Sequence, residues 1–295
     1  MIKINFRQDL IEHVDAQLEE LGYVPDEAGE ARESAPSYLM LLVRALRRMP
    51  SVQPRRVLMA RGFSVPEQHK AGFESLERSI KSGMELRPWL STSVASLTKR
   101  DALLDDWGIH HFHLGAAPRK PGDVFVARTD EVAFSVVRAD AVYFLLAARH
   151  NRRAAPLVWT QPELIEIIHQ NWPDLIGTTK LSPRGRVLTA ADHAQFREHP
   201  VNAGVTTTDG TVYYPPGGGM MSNKDAATDY VYQMQLLRTL EDLSVRVQEH
   251  ESQMRTTFRV SGDQDFELRA HFRISFPEGF QIGLRRADTD LLIWV

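Results

Sequence analysis

The sequence WGIHHFHLG, residues 107–115, decides how the middle of this chain folds. Three of its nine residues are histidines, and side chains of a β-strand alternate between the two faces of a sheet. His111 and His113 would therefore share one face. His110 and Phe112 would share the other. Two imidazoles about 6–7 Å apart at positions i and i+2 can bind a metal, or hold one phosphate between a general base and a general acid.

The sequence on both sides of this strand indicates an α+β fold. Residues 99–107 predict a short helix that leads into the strand. Residues 123–150 are rich in Val, Phe and Ala and are interrupted by polar pairs, which predicts a meander of two or three antiparallel strands. Residues 161–171 predict a helix with Pro162 in its first turn.

The N-terminal part is predicted to be mainly helical. Residues 1–24 read as a short strand and an amphipathic helix that stops at Gly22. Residues 25–36 are acidic and lack large apolar side chains, which predicts a mobile loop. Two further helices are expected over 37–49 and 66–82.

The C-terminal part combines a hairpin, a long helix and an antiparallel sheet. Asp209-Gly210 is a turn signal within the Gly- and Pro-rich segment 177–223. Residues from 258 onward alternate between apolar and polar side chains, with a turn at FPEG, 276–279. The longest helix is expected over 224–255, with an apolar stripe of Ala227, Tyr230, Met234, Leu237, Leu240, Leu243 and Val247.

These elements predict a linear domain organisation. A mainly helical N-terminal region would cover 1–98, and an α+β domain containing the histidine strand would cover 99–176. A hairpin and linker over 177–223 would then lead to the long helix and antiparallel strands of 224–295.

Composition excludes several classes of protein. With 43% apolar and 25% charged residues, the 295-residue chain is typical of a globular protein. The absence of cysteine excludes disulfides, thiol nucleophiles and thiolate metal sites. A formal net charge of −3 limits nucleic-acid binding to local patches. No signal-peptide core or membrane-spanning apolar run is present, so we expect a cytoplasmic protein with no membrane contact.

The candidate catalytic residues are His111, His113, Arg128 and His150. Histidine exchanges protons near neutral pH, and arginine neutralises the charge that develops on a phosphate under attack. Arg128 is expected at the end of the strand that follows the histidine strand, and His150 at the end of the meander. Because no third metal ligand is evident nearby, we expect no metal and no other cofactor.

Two groups of basic residues are candidates for contacts with nucleic acid. Arg149, Arg152 and Arg153 form a compact cluster after the meander. Arg269, His271 and Arg273 alternate along the last predicted sheet, so they share a face. Either group can also be an ordinary solvated surface. The sheet's phenylalanines lie on the opposite, core side, which weakens the binding interpretation for the second group.

The chain has no GxSxG, HExxH, GxGxxG after a strand, or EF-hand loop, which argues against the commonest hydrolase, zincin and dinucleotide-binding classes.

Most of the segment 70–245 resembles a group of uncharacterised bacterial proteins. The resemblance rests on PWLS at 88–91, WGIHHFHLG, DVFVARTDEVAF at 123–134, His150 and Trp159. This chain departs from the group's spacing by the extra residues NRRAAPLV after His150.

In outline, the meander with histidine and arginine also resembles the RelE-like and colicin-like ribonuclease toxins. That resemblance implies a fold-level relation only, with the four candidate catalytic residues as the matching types. The leading hypothesis is a metal-independent ribonuclease-like toxin or phage-defence effector that acts on RNA and has an inhibitory or defence-system protein as a further partner. The alternatives are a non-catalytic nucleic-acid- or protein-binding module and a metal-dependent hydrolase that uses the histidines.

Overall fold

The computed structural model describes residues 1–150, 162–176, 186–199, 201–262 and 264–295. Within these ranges the helices are α1 (Phe6–Glu20), α2 (Ala35–Arg48), α3 (Lys70–Ser82), α4 (Ala102–Trp107), α5 (Pro162–Asn171), α6 (Ala190–Glu198), α7 (Ala227–Glu249) and α8 (Glu251–Thr257). The strands are β1 (Ile2–Ile4), β2 (Arg56–Met59), β3 (Ile109–His113), β4 (Glu131–Val137), β5 (Ala141–Arg149), β6 (Val205–Thr206), β7 (Val212–Tyr213), β8 (Phe266–Ser275), β9 (Gly279–Arg286) and β10 (Leu292–Trp294). This mixture confirms the predicted α+β class.

The chain forms two compact units. The terminal unit comprises Met1–Arg47, Ala95–Thr98 and Asp229–Val295, and the central unit comprises Arg48–Val94 and Lys99–Thr228. This division differs from the linear one predicted above, because both ends of the chain belong to the same unit. The reason is that β1 pairs in parallel with the start of β8, and no local sequence pattern reports pairing between such distant segments.

The terminal unit contains a sheet of order β1-β8-β9-β10. β1 is too short to cover the edge of β8, and α1 completes the cover. A carboxylate oxygen of Asp9 accepts the backbone N–H of Ala270 at 2.7 Å, and Nε2 of Gln17 donates to the carbonyl of Ile274 at 3.0 Å. The helix thereby satisfies strand groups that would otherwise form an open edge.

Two predictions for the terminal unit need correction. The predicted mobile loop forms 3₁₀ turns over Pro25–Glu33, and Arg32 holds it to α1 through Asp15 at 2.8 Å. The predicted stripe of the long helix includes Tyr230 and Met234, which are 38% and 48% exposed. The buried side of α7 carries Leu240, Leu243 and Val247, as predicted, together with Tyr232, Gln233 and Leu236, which were not predicted. The predicted helix over 224–255 is also interrupted, because α7 ends at Glu249 and α8 begins at Glu251.

The central unit contains the histidine strand in a sheet of order β2-β5-β4-β3. β3 pairs antiparallel with β4, β4 pairs antiparallel with β5, and β2 runs parallel to β5. The predicted meander thus has two strands, β4 and β5. Residues 123–128 contribute only an isolated bridge between Val126 and Pro118. Arg128 therefore lies in the connection before β4 and not, as predicted, at the end of a strand.

Apolar side chains cover both faces of β3. Phe112 belongs to a core with Phe73, Leu76 and Ile80 of α3 and with Phe144 of β5. Ile109, on the same face as His111, belongs to a second core with Phe134 of β4 and with Leu164, Ile165 and Ile168 of α5. Phe112 therefore faces a packed core. The histidine face, however, is also packed along much of its length.

Gly72 of α3 permits close contact with the end of β3. A Cβ atom at this position would lie 2.0 Å from the carbonyl oxygen of Leu114, which is far inside van der Waals contact. Only glycine allows the helix backbone to approach the chain this closely. This contact fixes the position of the residues that follow His113.

Candidate active site

The four predicted catalytic residues lie together at one end of the central sheet. His111 and His113 come from β3, Arg128 from the connection before β4, and His150 directly follows β5. The ring centroids are separated by 6.3 Å for His111–His113, 6.2 Å for His111–His150 and 5.0 Å for His113–His150. Nη2 of Arg128 lies 3.4 Å from Nε2 of His150. In the antiparallel order β3-β4-β5, the ends of β3 and β5 lie at the same end of the sheet as the connection that carries Arg128.

Thr129 connects β3 to the start of β4. Its backbone N–H donates to Nδ1 of His113 at 3.3 Å, and its hydroxyl oxygen accepts the N–H of Leu114 at 3.0 Å. The same hydroxyl donates to the carbonyl of Glu131. Since Nδ1 of His113 accepts a hydrogen bond, the neutral ring carries its proton on Nε2. No described residue forms a hydrogen bond with that Nε2 atom.

His113 is the innermost of the three histidines, with 2% of its surface exposed. Its pKa is lowered to about 3, chiefly by burial and in addition by the neighbouring His111, His150 and Arg128. His113 is therefore neutral at neutral pH. It is better suited to hold the cluster in place than to exchange protons with a substrate.

His150 and Arg128 form the outer side of the cluster, since His150 is half-buried and Arg128 is exposed. A guanidinium can only donate, so Nε2 of His150 accepts from Arg128, and Nδ1 donates to the carbonyl of Asp130 at 3.1 Å. Burial is the largest cause of the lowered pKa of His150, and His111 and Arg128 add to it. The ring is thus a neutral base whose accepting nitrogen contacts an exposed arginine.

His111 pairs with Asp101, a residue that the sequence analysis missed. Nδ1 of His111 lies 3.2 Å from a carboxylate oxygen of Asp101, and that carboxylate also caps α4 by accepting the N–H groups of Leu103 and Leu104. Burial would raise the pKa of Asp101, but His111 and the amide of Leu104 outweigh burial and lower it. The available signal was its position: an aspartate directly before a predicted helix is a typical N-cap.

A second carboxylate, Glu131, lies beside the cluster and was also missed. One of its oxygens lies 2.9 Å from Nε2 of His69, and the other lies 3.3 Å from Nε of Arg149. The contact with His69 lowers the pKa of Glu131. Arg149, predicted to contact phosphates, is therefore already paired with a carboxylate. Its predicted neighbours Arg152 and Arg153 lie outside the described residues.

The second predicted nucleic-acid group lies in the terminal unit. Arg269, His271 and Arg273 share one face of β8, as predicted from their alternation. Arg269 is not a free cation, because it pairs with Asp9 at 2.8 Å and also with Glu12. Its charge is largely neutralised within the protein.

Metal binding and membrane crossing can both be examined in the side chains and helices of the described residues. No group of three or more His, Cys, Asp or Glu side chains there is arranged to hold a metal ion. None of the described helices combines the length and apolar character that crossing a lipid bilayer requires.

The arrangement as a whole offers three chemical capacities. Nε2 of His150 can accept a proton, and the guanidinium of Arg128 can stabilise a developing negative charge. The His111–Asp101 pair provides a second imidazole whose orientation is fixed by a carboxylate. Comparison with known proteins adds no assignment, since no family model, curated protein or solved structure matches the chain.

Proposed function

We propose that the central unit cleaves RNA without a metal ion, using the cluster of His111, His113, Arg128 and His150. The observation that carries the proposal is their convergence from three separate segments, with imidazole centroids 5.0–6.3 Å apart and an arginine at the exposed side. An arginine and paired imidazoles suffice to cleave RNA, because the 2′-hydroxyl of RNA supplies the nucleophile within the substrate.

The local geometry suggests a role for each residue. When a phosphate binds, Arg128 turns from His150 to the phosphate oxygens, and Nε2 of His150 accepts the proton of the 2′-hydroxyl. The 2′-oxygen bonds to phosphorus while the bond from phosphorus to the 5′-oxygen breaks. His111, which lies beside Asp101, acts as the general acid and gives a proton to that departing oxygen. The products are a 2′,3′-cyclic phosphate and a free 5′-hydroxyl.

The test measures cleavage of a single-stranded oligoribonucleotide by the purified full-length chain in EDTA. We expect His150→Ala to lower the rate by about 10²–10⁴-fold, as is typical for loss of a general base. Arg128→Ala should lower it through lost charge stabilisation. Arg78→Ala, which removes an exposed arginine from α3 of the same unit, serves as the matched control and should cleave at the wild-type rate. Equal rates for all four proteins would contradict the proposal.

A role as a toxin or phage-defence effector is a more specific version of this proposal, because it requires that the chain cleave cellular RNA. If the chain acts on cellular RNA, its expression in bacteria should slow growth and fragment RNA, and His150→Ala should relieve both effects. Wild-type expression with normal growth and intact RNA would remove support for the toxin role.

A second candidate function is supported by the burial of two of the histidines. The side chain of His111 is 10% exposed, and His113 as a residue is 2% exposed. Such burial favours a non-catalytic nucleic-acid-binding module in which the imidazoles hold strands together. The cleavage assay separates the two functions, because a binding module would retain the oligoribonucleotide intact.

A further inference from the structure

One face of the terminal sheet carries the exposed Arg273 and the partly buried Arg269, His271 and Arg285, and we call it the basic face. Residues opposite each other in antiparallel strands share a face, and the pairs Arg269↔Arg285, His271↔Gly283 and Trp294↔Gly283 extend this face across three strands. Its members are Arg269, His271 and Arg273 of β8, Gln281, Gly283 and Arg285 of β9, and Leu292 and Trp294 of β10.

Trp294 supplies the basic face with an aromatic ring. Its ring lies against the strand backbone at Gly283, where a Cβ atom would be 3.0 Å from Cε3 of the indole. The guanidinium carbon of Arg273 lies 4.1 Å from the ring centroid. From the sequence, the phenylalanines of this sheet were expected on the core side, with no aromatic ring among the basic residues. Trp294 was not expected there because β10 was not predicted.

The cationic character of this face is concentrated near Trp294. Arg273 rests on the indole ring, and Nε of Arg285, a buried atom, has no hydrogen-bond partner among the described residues. Nε2 of His271 is also buried and has no such partner, and burial lowers the pKa of this ring, so His271 adds no charge at neutral pH. Acidic side chains lie farther along β8. Asp9 and Glu12 neutralise Arg269, and Glu267 is paired with Lys3 of β1 in the strand register.

We propose that the basic face binds single-stranded nucleic acid through Trp294, Arg273 and Arg285. A base stacks on the indole in place of Arg273, whose guanidinium turns to the adjoining phosphate. Arg285 contacts the next phosphate along the strand. Aromatic rings and arginines on an exposed sheet are the combination that single strands recognise, because every base has a stacking face and every linkage a negative charge.

The preference for single-stranded over double-stranded nucleic acid follows from the stacking contact with Trp294. In a duplex, the faces of the bases are covered by their neighbours, so an indole lying flat on a sheet cannot reach them. The phosphates of a duplex would meet only the arginines. This binding surface lies in the terminal unit, and its assignment does not depend on the cleavage centre proposed for the central unit.

The test is fluorescence anisotropy of a labelled single-stranded oligodeoxythymidylate with the full-length chain. This probe lacks the 2′-hydroxyl, so the proposed cleavage chemistry cannot consume it. We expect Trp294→Ala to raise Kd roughly 5- to 150-fold, as is typical for loss of one stacked base, and Trp294→Phe to restore most of the affinity. Arg273→Glu and Arg285→Glu should weaken binding and flatten its dependence on salt.

The matched control is Arg238→Glu, which makes the same charge change at an exposed position on α7 of the terminal unit. It should bind as the wild type does. If Trp294→Ala loses the native circular dichroism spectrum, the arginine variants and Trp294→Phe decide the question. Wild-type affinity in both arginine variants, equal competition by double-stranded DNA, or no binding by the wild-type chain would each overturn the proposal.

Discussion

The backbone N–H of Thr129 donates to Nδ1 of His113 across 3.3 Å and thereby sets the proton of the neutral ring on Nε2. This contact joins the connection that carries Arg128 to the strand that carries two of the three histidines. The site therefore depends on Thr129 as much as on its catalytic candidates, although threonine itself performs no acid–base chemistry there.

Thr129→Val should destabilise the fold. Valine keeps the shape but removes the hydroxyl that accepts the N–H of Leu114 and donates to Glu131. Leaving such a partly buried donor unsatisfied costs about 1–3 kcal/mol. Thr129→Ser keeps the hydroxyl and should therefore lose less of the free energy of unfolding than Thr129→Val. Urea unfolding of the three proteins measures the difference, and equal stability of Thr129→Val and wild type would show that Thr129 does not hold the two segments together.

The stability of the protein should depend on the protonation of His113. Burial lowers its pKa to about 3 in the folded state, whereas the unfolded value is about 6.5. Between these values the unfolded chain binds more protons than the folded chain, so the free energy of unfolding falls as pH falls, by up to about 1.4 kcal/mol per pH unit.

His113→Asn should remove this contribution. The measurement is the free energy of unfolding at several pH values between 6.5 and 4.5, above the range in which most carboxylates titrate. His13, His150 and His271 also have lowered pKa values and remain in both proteins, so the difference between the two slopes isolates His113. Identical slopes would mean that His113 takes up its proton as readily in the fold as outside it.

Gly72→Ala should be destabilising, even though alanine favours helices over glycine by about 1 kcal/mol. The new methyl group would collide with the carbonyl oxygen of Leu114, 2.0 Å away. Separation of α3 from the end of β3 should cost more than the gain in helix propensity. Glu74→Ala, at an exposed position two residues further along α3, should leave stability nearly unchanged. A Gly72→Ala protein with a Tm at or above that of wild type would contradict the close contact.

Asp101→Asn separates the two roles of this carboxylate. Asparagine can still cap α4, so stability should change little. It lacks the negative charge that faces His111, so the rate of RNA cleavage should fall, and the alkaline limb of the pH–rate profile, where a general acid loses its proton, should shift. The measurement is a pH–rate profile beside an unfolding curve. A wild-type profile for this variant would show that His111 does not act as the proton donor.

Much of the local structure could be predicted from the sequence. Period-two alternation placed β3 correctly, and Gly22 and Pro162 came close to the end of α1 and the start of α5. His111, His113, Arg128 and His150 were chosen from the sequence for their chemistry, and they lie together because the antiparallel order β3-β4-β5 places the ends of β3 and β5 at the same end of the sheet. These properties are set by residues near one another along the chain.

Other features depend on contacts between distant segments and could not be predicted. The pairing of β1 with β8 determines the two units, and the addition of β10 brings Trp294 to the basic face. The same limit applies to Glu131, whose partner His69 belongs to a different part of the sequence. The error in the α7 stripe has a local cause, since Tyr230 and Met234 fit helical spacing almost as well as the buried Tyr232 and Leu236.

The most direct test of the cleavage proposal compares two substrates in EDTA under single-turnover conditions. One is an oligoribonucleotide, and the other is the same oligonucleotide with 2′-deoxyribose at every position. The proposed chemistry predicts that wild-type protein cleaves only the first and leaves 2′,3′-cyclic phosphate ends, and that His150→Ala abolishes most of this activity. Cleavage of both substrates, or equal cleavage by wild type and His150→Ala, would contradict it.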